Sequence, residues 1–352
     1  MDYVPTTSDN AEREITFTGQ TRKKCKMKVS VADIERKSVE ALIAYGAGEW
    51  QARAVARAVA RAEQTGNVIC GLYYLESYCV QLASGRVNGT VEPFVKMLRP
   101  GTINVDAGLG FAQPAFERGL PTTIEAAQNC GVATLSIAHA HTCTSLGFFT
   151  EQIAAAGLIG IGFTNASAIV AGQGGKKRVL GTNPIAFTLP GPDGPAMHAD
   201  FATSAVALGK ITMANAACDD IPLGWAVDGD GEPTTDPEKA LQGSLSSAAG
   251  YKGWALGRLV EFLAAGLTGS VNSLDVKGLK AAEGPPHDLG QFYILIDPAA
   301  HAGMLTERIN RVANEIMGDQ PVRIPGSSSK DRDPVTIDDA LWASIEGLAA
   351  GS

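Results

Sequence analysis

The sequence predicts a mixed α/β fold: a leading helix pair, a central body of short strands and short helices, then a closing helix, strand and helix. Three observations predict it. Apolar residues recur at helical spacing between 49 and 63. Four strand-length apolar runs lie between glycine and proline turns from 134 to 201. The helical period then returns over 254–266 and 305–316, with one strand between.

Residues 1–28 read as a flexible or strand-like polar arm carrying the basic cluster Arg22-Lys23-Lys24-Cys25-Lys26. Ser30 offers an N-cap to a helix that runs to Tyr45 and stops at Gly46-Ala47-Gly48. A second helix spans Glu49 to Glu63. Its core stripe is Ala52, Val55, Ala56, Val59 and Ala60, and Arg53, Arg57 and Arg61 line a solvated face. The strand runs are Thr134–Ile137, Leu158–Phe163, Ile185–Leu189 and Met197–Phe201. Glu125–Gly131 and Thr150–Gly157 read as short helices between them. Trp254–Gly266 reads as a buried helix with Leu256, Leu259, Val260 and Leu263 inward. Tyr293–Asp297 is a late strand. Leu305, Ile309, Val312 and Ile316 mark an amphipathic helix that stops at Gly318, and Pro325–Pro334 reads as irregular. No linker divides the chain.

Composition narrows the class. Of 352 residues, 45% are apolar and 19% charged, which suits a buried core and excludes disorder or a coiled coil as the main state. A net charge of −8 argues against wrapping a phosphate backbone. No apolar run reaches the roughly 18 residues that span a bilayer, and the polar N-terminus lacks a secretory h-region, so a cytosolic protein is expected. Cys25, Cys70, Cys79, Cys130, Cys143 and Cys218 form no CxxC pair; reduced, mostly buried thiols are expected, with no metal site.

Standard motifs fail. Gly46-Ala47-Gly48 and Gly108-Leu109-Gly110 begin a dinucleotide fingerprint but lack its third glycine, and Gly175-Lys176 is followed by Lys177 where a P-loop needs Ser or Thr. HExxH and G-x-S-x-G are absent. His139 and His141 stand two apart at a predicted strand end, hence on one face; they suit a metal pair, an acid with its orienter, or plain loop chemistry. His198 alternates with Asp200 on another strand and reads as exposed.

Larger blocks carry more. Leu180-Gly181-Thr182-Asn183-Pro184-Ile185-Ala186-Phe187 is followed by Asp200-Phe201-Ala202-Thr203-Ser204. Ile221-Pro222-Leu223-Gly224-Trp225-Ala226-Val227-Asp228, Pro233-Thr234 and Gly250-Tyr251-Lys252-Gly253 come next. In order and spacing these resemble the malate/L-lactate dehydrogenase family that lacks a Rossmann fold. Gly110-Phe111-Ala112-Gln113-Pro114-Ala115 and Arg323-Ile324-Pro325-Gly326 are similar to its Δ1-piperideine-2-carboxylate/Δ1-pyrroline-2-carboxylate reductase branch.

The resemblance covers residue 29 to the C-terminus. It implies a central, largely antiparallel sheet that binds NADPH or NADH, and a helical domain built from both chain ends. On that plan residues 29–105 and 255–352 form the helical domain and 106–254 the cofactor domain. It also implies a homodimer acting on a small molecule. By the same resemblance His139, Thr164, Asn165, Gly181, Thr182, Asn183, Pro184, Thr203, Ser204 and Lys252 are cofactor-binding candidates. The glycine and small residues allow close backbone approach, and Lys252 offers charge to a phosphate.

Two catalytic motifs depart from the family. Its Ser-His-Gly falls on Ile69-Cys70-Gly71, and the Arg that usually holds the substrate carboxylate falls on Tyr74, while Tyr78 is retained. A second His motif places its last His on Thr142, one residue after His141; only a bulge or loop shift would return His141 to that place. Asp200 matches a catalytic Asp of the imine-reductase branch, and desolvation would make it an acid. The catalytic candidates are therefore Asp200, His141, Cys70, Tyr78 and Tyr74. The expected reaction is nicotinamide-dependent reduction of a C=N or C=O group in a small metabolite of specialised biosynthesis. A 2-hydroxy-acid dehydrogenase and a non-redox isomerase, cyclase or lyase on the same scaffold are the alternatives.

Overall fold

The computed structural model describes residues 13–15, 21–23, 26–142, 144–278, 280–318 and 331–351. Cys25, Cys143, the Arg323–Gly326 stretch, the larger part of the expected irregular tail and most of the expected arm lie outside them. Strands β1 (Arg13–Ile15) and β2 (Thr21–Lys23) pair antiparallel.

The helical layer begins with β3 (Lys26–Val29), α1 (Val31–Ala44) and α2 (Glu49–Thr65). Ser30 caps α1 as expected, its Oγ accepting from Asp33 N at 3.1 Å. The α2 stripe is buried along its length. On the opposite face Arg53, Arg57 and Arg61 pair with Glu49, Glu117 and Glu151. Two single 3₁₀ turns, Val68–Cys70 and Leu72–Tyr74, lead into α3 (Leu75–Ala83).

The central body follows: β4 (Phe94–Arg99), β5 (Thr102–Asp106), α4 (Ala112–Cys130), β6 (Val132–Ala140), α5 (Gly147–Ala155) and β7 (Ile159–Thr164). After β8 (Val170–Ala171) and β9 (Arg178–Leu180) come β10 (Ile185–Gly191), β11 (Gly194–Phe201) and α6 (Leu208–Ala217). β12 (Ala226–Val227), β13 (Pro233–Thr234), α7 (Pro237–Gln242), β14 (Ser244–Leu245) and α8 (Tyr251–Glu261) complete this part. The chain ends with β15 (Leu289–Ile296), α9 (Leu305–Met317), β16 (Val335–Asp338) and α10 (Asp339–Ala349).

The main sheet has seven strands in the order β11-β10-β7-β15-β6-β5-β4. Every neighbouring pair is antiparallel except β5 and β6, which α4 joins as a crossover. The sheet is therefore largely antiparallel, as the resemblance implies. Helices α4 and α5 cover it through Phe116, Phe149 and Ile153. A five-stranded sheet, β13-β12-β14-β8-β9, has its own core around Ile211 and Leu245. Both chain ends meet in the helical layer. β16 pairs antiparallel with β3, and Trp342 and Ile345 of α10 enter the core that α1, α2 and α3 share.

Several expectations need correction. β4, β15 and all of β5 but Asp106 lie outside the 106–254 segment yet pair within its sheet; β15 fills the gap between the facing edges of β6 and β7. The helix expected at Glu125–Gly131 begins at Ala112: Pro114 stands in its first turn, where a missing N–H costs nothing, and Pro121 is accommodated inside. Leu256 and Leu259 face outward, since α8 turns Gly253, Gly257 and Val260 inward. Cys130 and Cys218 are exposed rather than buried. Among the described residues no helix is long and apolar enough to cross a membrane.

Candidate active site

The candidate residues gather at one end of the main sheet. Strands β6, β7 and β11 finish there and β10 and β15 begin there, as the pairs Ala140–Leu289, Thr164–Gln291 and Phe201–Ile185 require. Leu109, His139, Asn183, Ala249 and Asp288 all have positive φ on this rim although none is glycine. Clustered backbone strain of this kind marks functional sites.

Asp200 is the last but one residue of β11 and faces the N-terminus of α5. Its Oδ2 accepts from Ser145 Oγ at 2.6 Å and from Gly147 N at 2.8 Å. A carboxylate is favourable at a helix N-terminus, where N–H groups lack partners. Gly147 is required for this approach: a Cβ there would stand 2.7 Å from His198 Cε1 and 3.1 Å from Asp200 Cβ. The two side chains line a cleft of about 900 Å³ with Arg61, Asn67, Ile69, Glu151 and Lys210. His198 is therefore not simply exposed. Thr150 Oγ1 donates to Gly147 O and accepts from Thr188, which accepts from His198 Nδ1 at 2.8 Å. That leaves His198 Nε2 facing Glu151 at 3.9 Å.

On the helical layer Cys70 follows the cleft-lining Ile69, and Tyr74 ends the next 3₁₀ turn. Burial first, then the charge of Asp200, pushes the Cys70 thiol up to about 12, so it stays protonated near neutrality and is no thiolate nucleophile. Burial also raises the Tyr74 phenol, with Cys70 its next influence. The turn that carries them is set by Glu63, a buried carboxyl raised by burial, whose Oε1 accepts from Leu72 N at 2.8 Å. Gly71 lies against it, and a Cβ there would be 2.2 Å from the same oxygen.

Tyr78 and His141 lie a layer deeper. The Tyr74 and Tyr78 rings stack with centroids 6.1 Å apart, and Tyr78 meets His141 edge-on at 5.8 Å. His141 stacks on His287 at 4.0 Å and its Nε2 donates to Gln81 Oε1 at 2.7 Å. Burial, then His287 and Arg86, hold its imidazole neutral well below the usual range. A bulge does occur in β6: Ala140 faces Leu289 and Ile137 faces Gln291, so Ala138 and His139 oppose Gly290 alone. Even so, His141 points into the core, 2% exposed.

The cofactor candidates lie at the ends of β6, β7 and β11 and near the starts of β10 and α8. His139 Nδ1 pairs with Asp288 Oδ1 at 2.8 Å, and the ring is partly exposed. Thr164 donates to Gly290 O, and the Asn165 amide bridges Val271 O and Gly290 N. A Cβ on Gly181 would meet Ala166 O at 2.4 Å. Thr203 Oγ1 donates toward Thr182 O and Asn183 O, and Ser204 Oγ to Val206 O. Pro184 precedes β10, and Lys252 lies exposed in the first turn of α8. Glu261, absent from the sequence expectations, is buried and accepts from Asn183 Nδ2, Asn272 Nδ2, Ser273 N and Ser273 Oγ. It locks Asn183 in its left-handed conformation. Its one sequence signal was a carboxylate inside a helix read as buried.

The family model described as malate/L-lactate dehydrogenase matches residues 29–346. A Δ1-pyrroline-2-carboxylate reductase of Ancylobacter novellus is 37% identical over 333 residues, 92% of this chain and 97% of its own. A (2R)-3-sulfolactate dehydrogenase (NADP⁺) of Chromohalobacter salexigens is 36% identical over 299 residues, 85% of this chain and 90% of its own. The crystal structure of Δ1-piperideine-2-carboxylate reductase from Pseudomonas syringae pv. tomato superposes with a TM-score of 0.85 at 31% identity, covering 92% and 99% of the two chains.

Proposed function

Because the chain belongs to the malate/L-lactate dehydrogenase family, we propose that this oxidoreductase reduces the C=N bond of a small cyclic imine carboxylate with NADPH or NADH. The observation that carries the reading is the Asp200 carboxyl, fixed by Ser145 and Gly147 beside Cys70 at the cleft between the helical layer and the sheet end. A nicotinamide cofactor supplies the hydride when bound.

The rim fits such a cofactor. The first turn of α8 has no side-chain cap, so its free N–H groups and Lys252 suit a phosphate. His139 offers its partly exposed ring. Gly181, Thr182, Pro184, Thr164, Asn165, Asn183, Thr203 and Ser204 shape the wall, several with polar atoms already committed to backbone.

Asp200 acts on the substrate. A protonated imine needs a negative partner for its N–H⁺, which the carboxylate provides, and no strong acid has to protonate it. The neutral Cys70 thiol, next along the chain to the cleft-lining Ile69, and the Tyr74 phenol add no charge that would compete for the iminium. Tyr78 and His141 support Tyr74 from behind. The reading includes a cytosolic homodimer, to which the exposed Phe94, Met97 and Leu98 of the edge strand β4 lend apolar surface.

The test is nicotinamide oxidation followed with Δ1-pyrroline-2-carboxylate and Δ1-piperideine-2-carboxylate, beside 2-keto acids. Turnover of the cyclic imines is expected, and of keto acids more slowly. Absence of nicotinamide binding by fluorescence would sink the reading; faster turnover of keto acids would move it to a hydroxy-acid dehydrogenase. Sedimentation velocity checks the dimer.

A further inference from the structure

The geometry points to Lys280 as the residue that holds the carboxylate of the substrate, in a site whose position 74 carries a tyrosine. This rests on the reductase reading above. An anionic substrate bound beside Asp200 needs a cation to offset that carboxylate. Arg61 is the cation nearest to hand in the cleft, but Glu151 takes it in a bidentate pair at 2.9 and 3.0 Å, and Asp331 takes it at 2.7 Å. Two lysines can supply the charge instead, Lys210 on the cleft wall and Lys280 at the helical layer.

Lys280 brings it over the aromatic step. Its Nζ lies 3.4 Å from the centre of the Tyr73 ring and 5.1 Å from that of Tyr74. Both tyrosines belong to the 3₁₀ turn that follows Ile69 and Cys70, and Ile69 lines the Asp200 cleft. Among the described residues Lys280 makes no ion pair. The ring faces hold the exposed ammonium without neutralising it, so its charge stays available to an anion.

The position is built rather than accidental. Residues at the end of α3 and just beyond it grip the loop on both sides of Lys280. Gln81 Nε2 donates to Ala281 O at 2.9 Å, and Ser84 Oγ to Ala282 O at 2.7 Å. The buried Arg86 donates to Gly278 O and Pro285 O at 2.9 Å, and to Ala281 O. Its Nε and Nη1 are therefore spent on carbonyls and hold the loop, while the buried Nη2 finds no partner. Gln81 is also the partner of His141, so the clamp and the aromatic layer behind Tyr74 are one structure. The loop delivers a lysine where the helical layer has no cation of its own to offer.

The experiment compares Δ1-pyrroline-2-carboxylate with Δ1-pyrroline, the same ring without the carboxylate, in the wild type, Lys280→Met, Lys280→Arg and Lys210→Met. Lys280→Met should lower kcat/KM for the carboxylated ring about tenfold to a hundredfold, mostly through KM, the range set by one charge-assisted hydrogen bond. Activity on the bare ring should be unchanged, and Lys280→Arg should restore the loss. Calorimetric binding of pyrrole-2-carboxylate should weaken in parallel. Equal losses on both rings, no loss, or a loss confined to Lys210→Met would overturn the assignment. If the wild type turns over neither ring, the reductase reading fails, and pyrrole-2-carboxylate binding still decides Lys280.

Discussion

Replacing Asp200 with Asn tests the centre of the site with little change of shape. Oδ2 of Asp200 receives Ser145 Oγ and Gly147 N at 2.6 and 2.8 Å. An Asn with its oxygen in that place keeps both donors satisfied, so folding is expected to survive. The amide nitrogen then takes the position of the other oxygen and presents a donor where the iminium N–H⁺ needs an acceptor. One lost charge-assisted bond is worth about 1.5–3 kcal/mol, or about tenfold to 150-fold in rate. If the carboxyl also relays the proton, the loss extends toward the range of about 10²–10⁴ typical of acid–base groups. Expected is a fall in kcat of at least about tenfold, with cofactor affinity unchanged by fluorescence titration and a melting temperature near that of the wild type. Full kcat in a folded Asp200→Asn protein would refute the role given to this carboxylate.

Three further outcomes are expected. Gly71→Ala forces a Cβ to 2.2 Å from Glu63 Oε1, must displace that carboxyl from Leu72 N, and should cost about 1–3 kcal/mol in urea unfolding. Glu261→Gln removes the charge from an acceptor of four donors, and a lowered melting temperature should accompany weakened cofactor binding as Asn183 loosens. His141, neutral when folded, takes up a proton near pH 6.5 once unfolded. Below that pH the unfolded chain binds more protons, so the stability present above it is lost on acidification; His287 and Arg86, facing the ring, extend the loss to lower pH. Urea midpoints measured from about pH 7.5 to about pH 5 should fall more steeply for the wild type than for His141→Phe.

The fold was legible where one period dominates. The α2 stripe from Ala52 to Ala60 and the cap at Ser30 follow from neighbours a turn away. β4 was not legible, since Phe94, Met97 and Leu98 face outward on an edge and break the alternation a strand is known by, although β5 does alternate, with Ile103 and Val105 inward. α4 was cut short because Pro114 and Pro121 punctuate it. Asp200 was legible through its block, but its supports were not. Ser145 lies 55 residues away, Gln81 reaches His141 across 60, and Glu261 reaches Asn183 across 78. Partnerships set by tertiary approach leave no local pattern. For the same reason the bulge at His139 could be named as a need at the sequence level and seen in the pairing, while the inward turn of His141 depended on Gln81 and His287.

The place of β15 has a consequence for how the protein is made. It stands between β7 and β6 but is the last strand of the sheet to leave the ribosome, 125 residues after β7 ends at Thr164 and begins again at Leu289. Until Leu289–Ile296 emerges, the nascent chain holds two three-stranded halves, β11-β10-β7 and β6-β5-β4, each with an unpaired inner edge. Closure of the sheet is a late, long-range event, which makes folding slow and exposes apolar edges in the meantime. A chain stalled before residue 289 should therefore be captured by chaperones, and extending it through Ile296 should weaken that capture, with the helical core still open until α10 arrives.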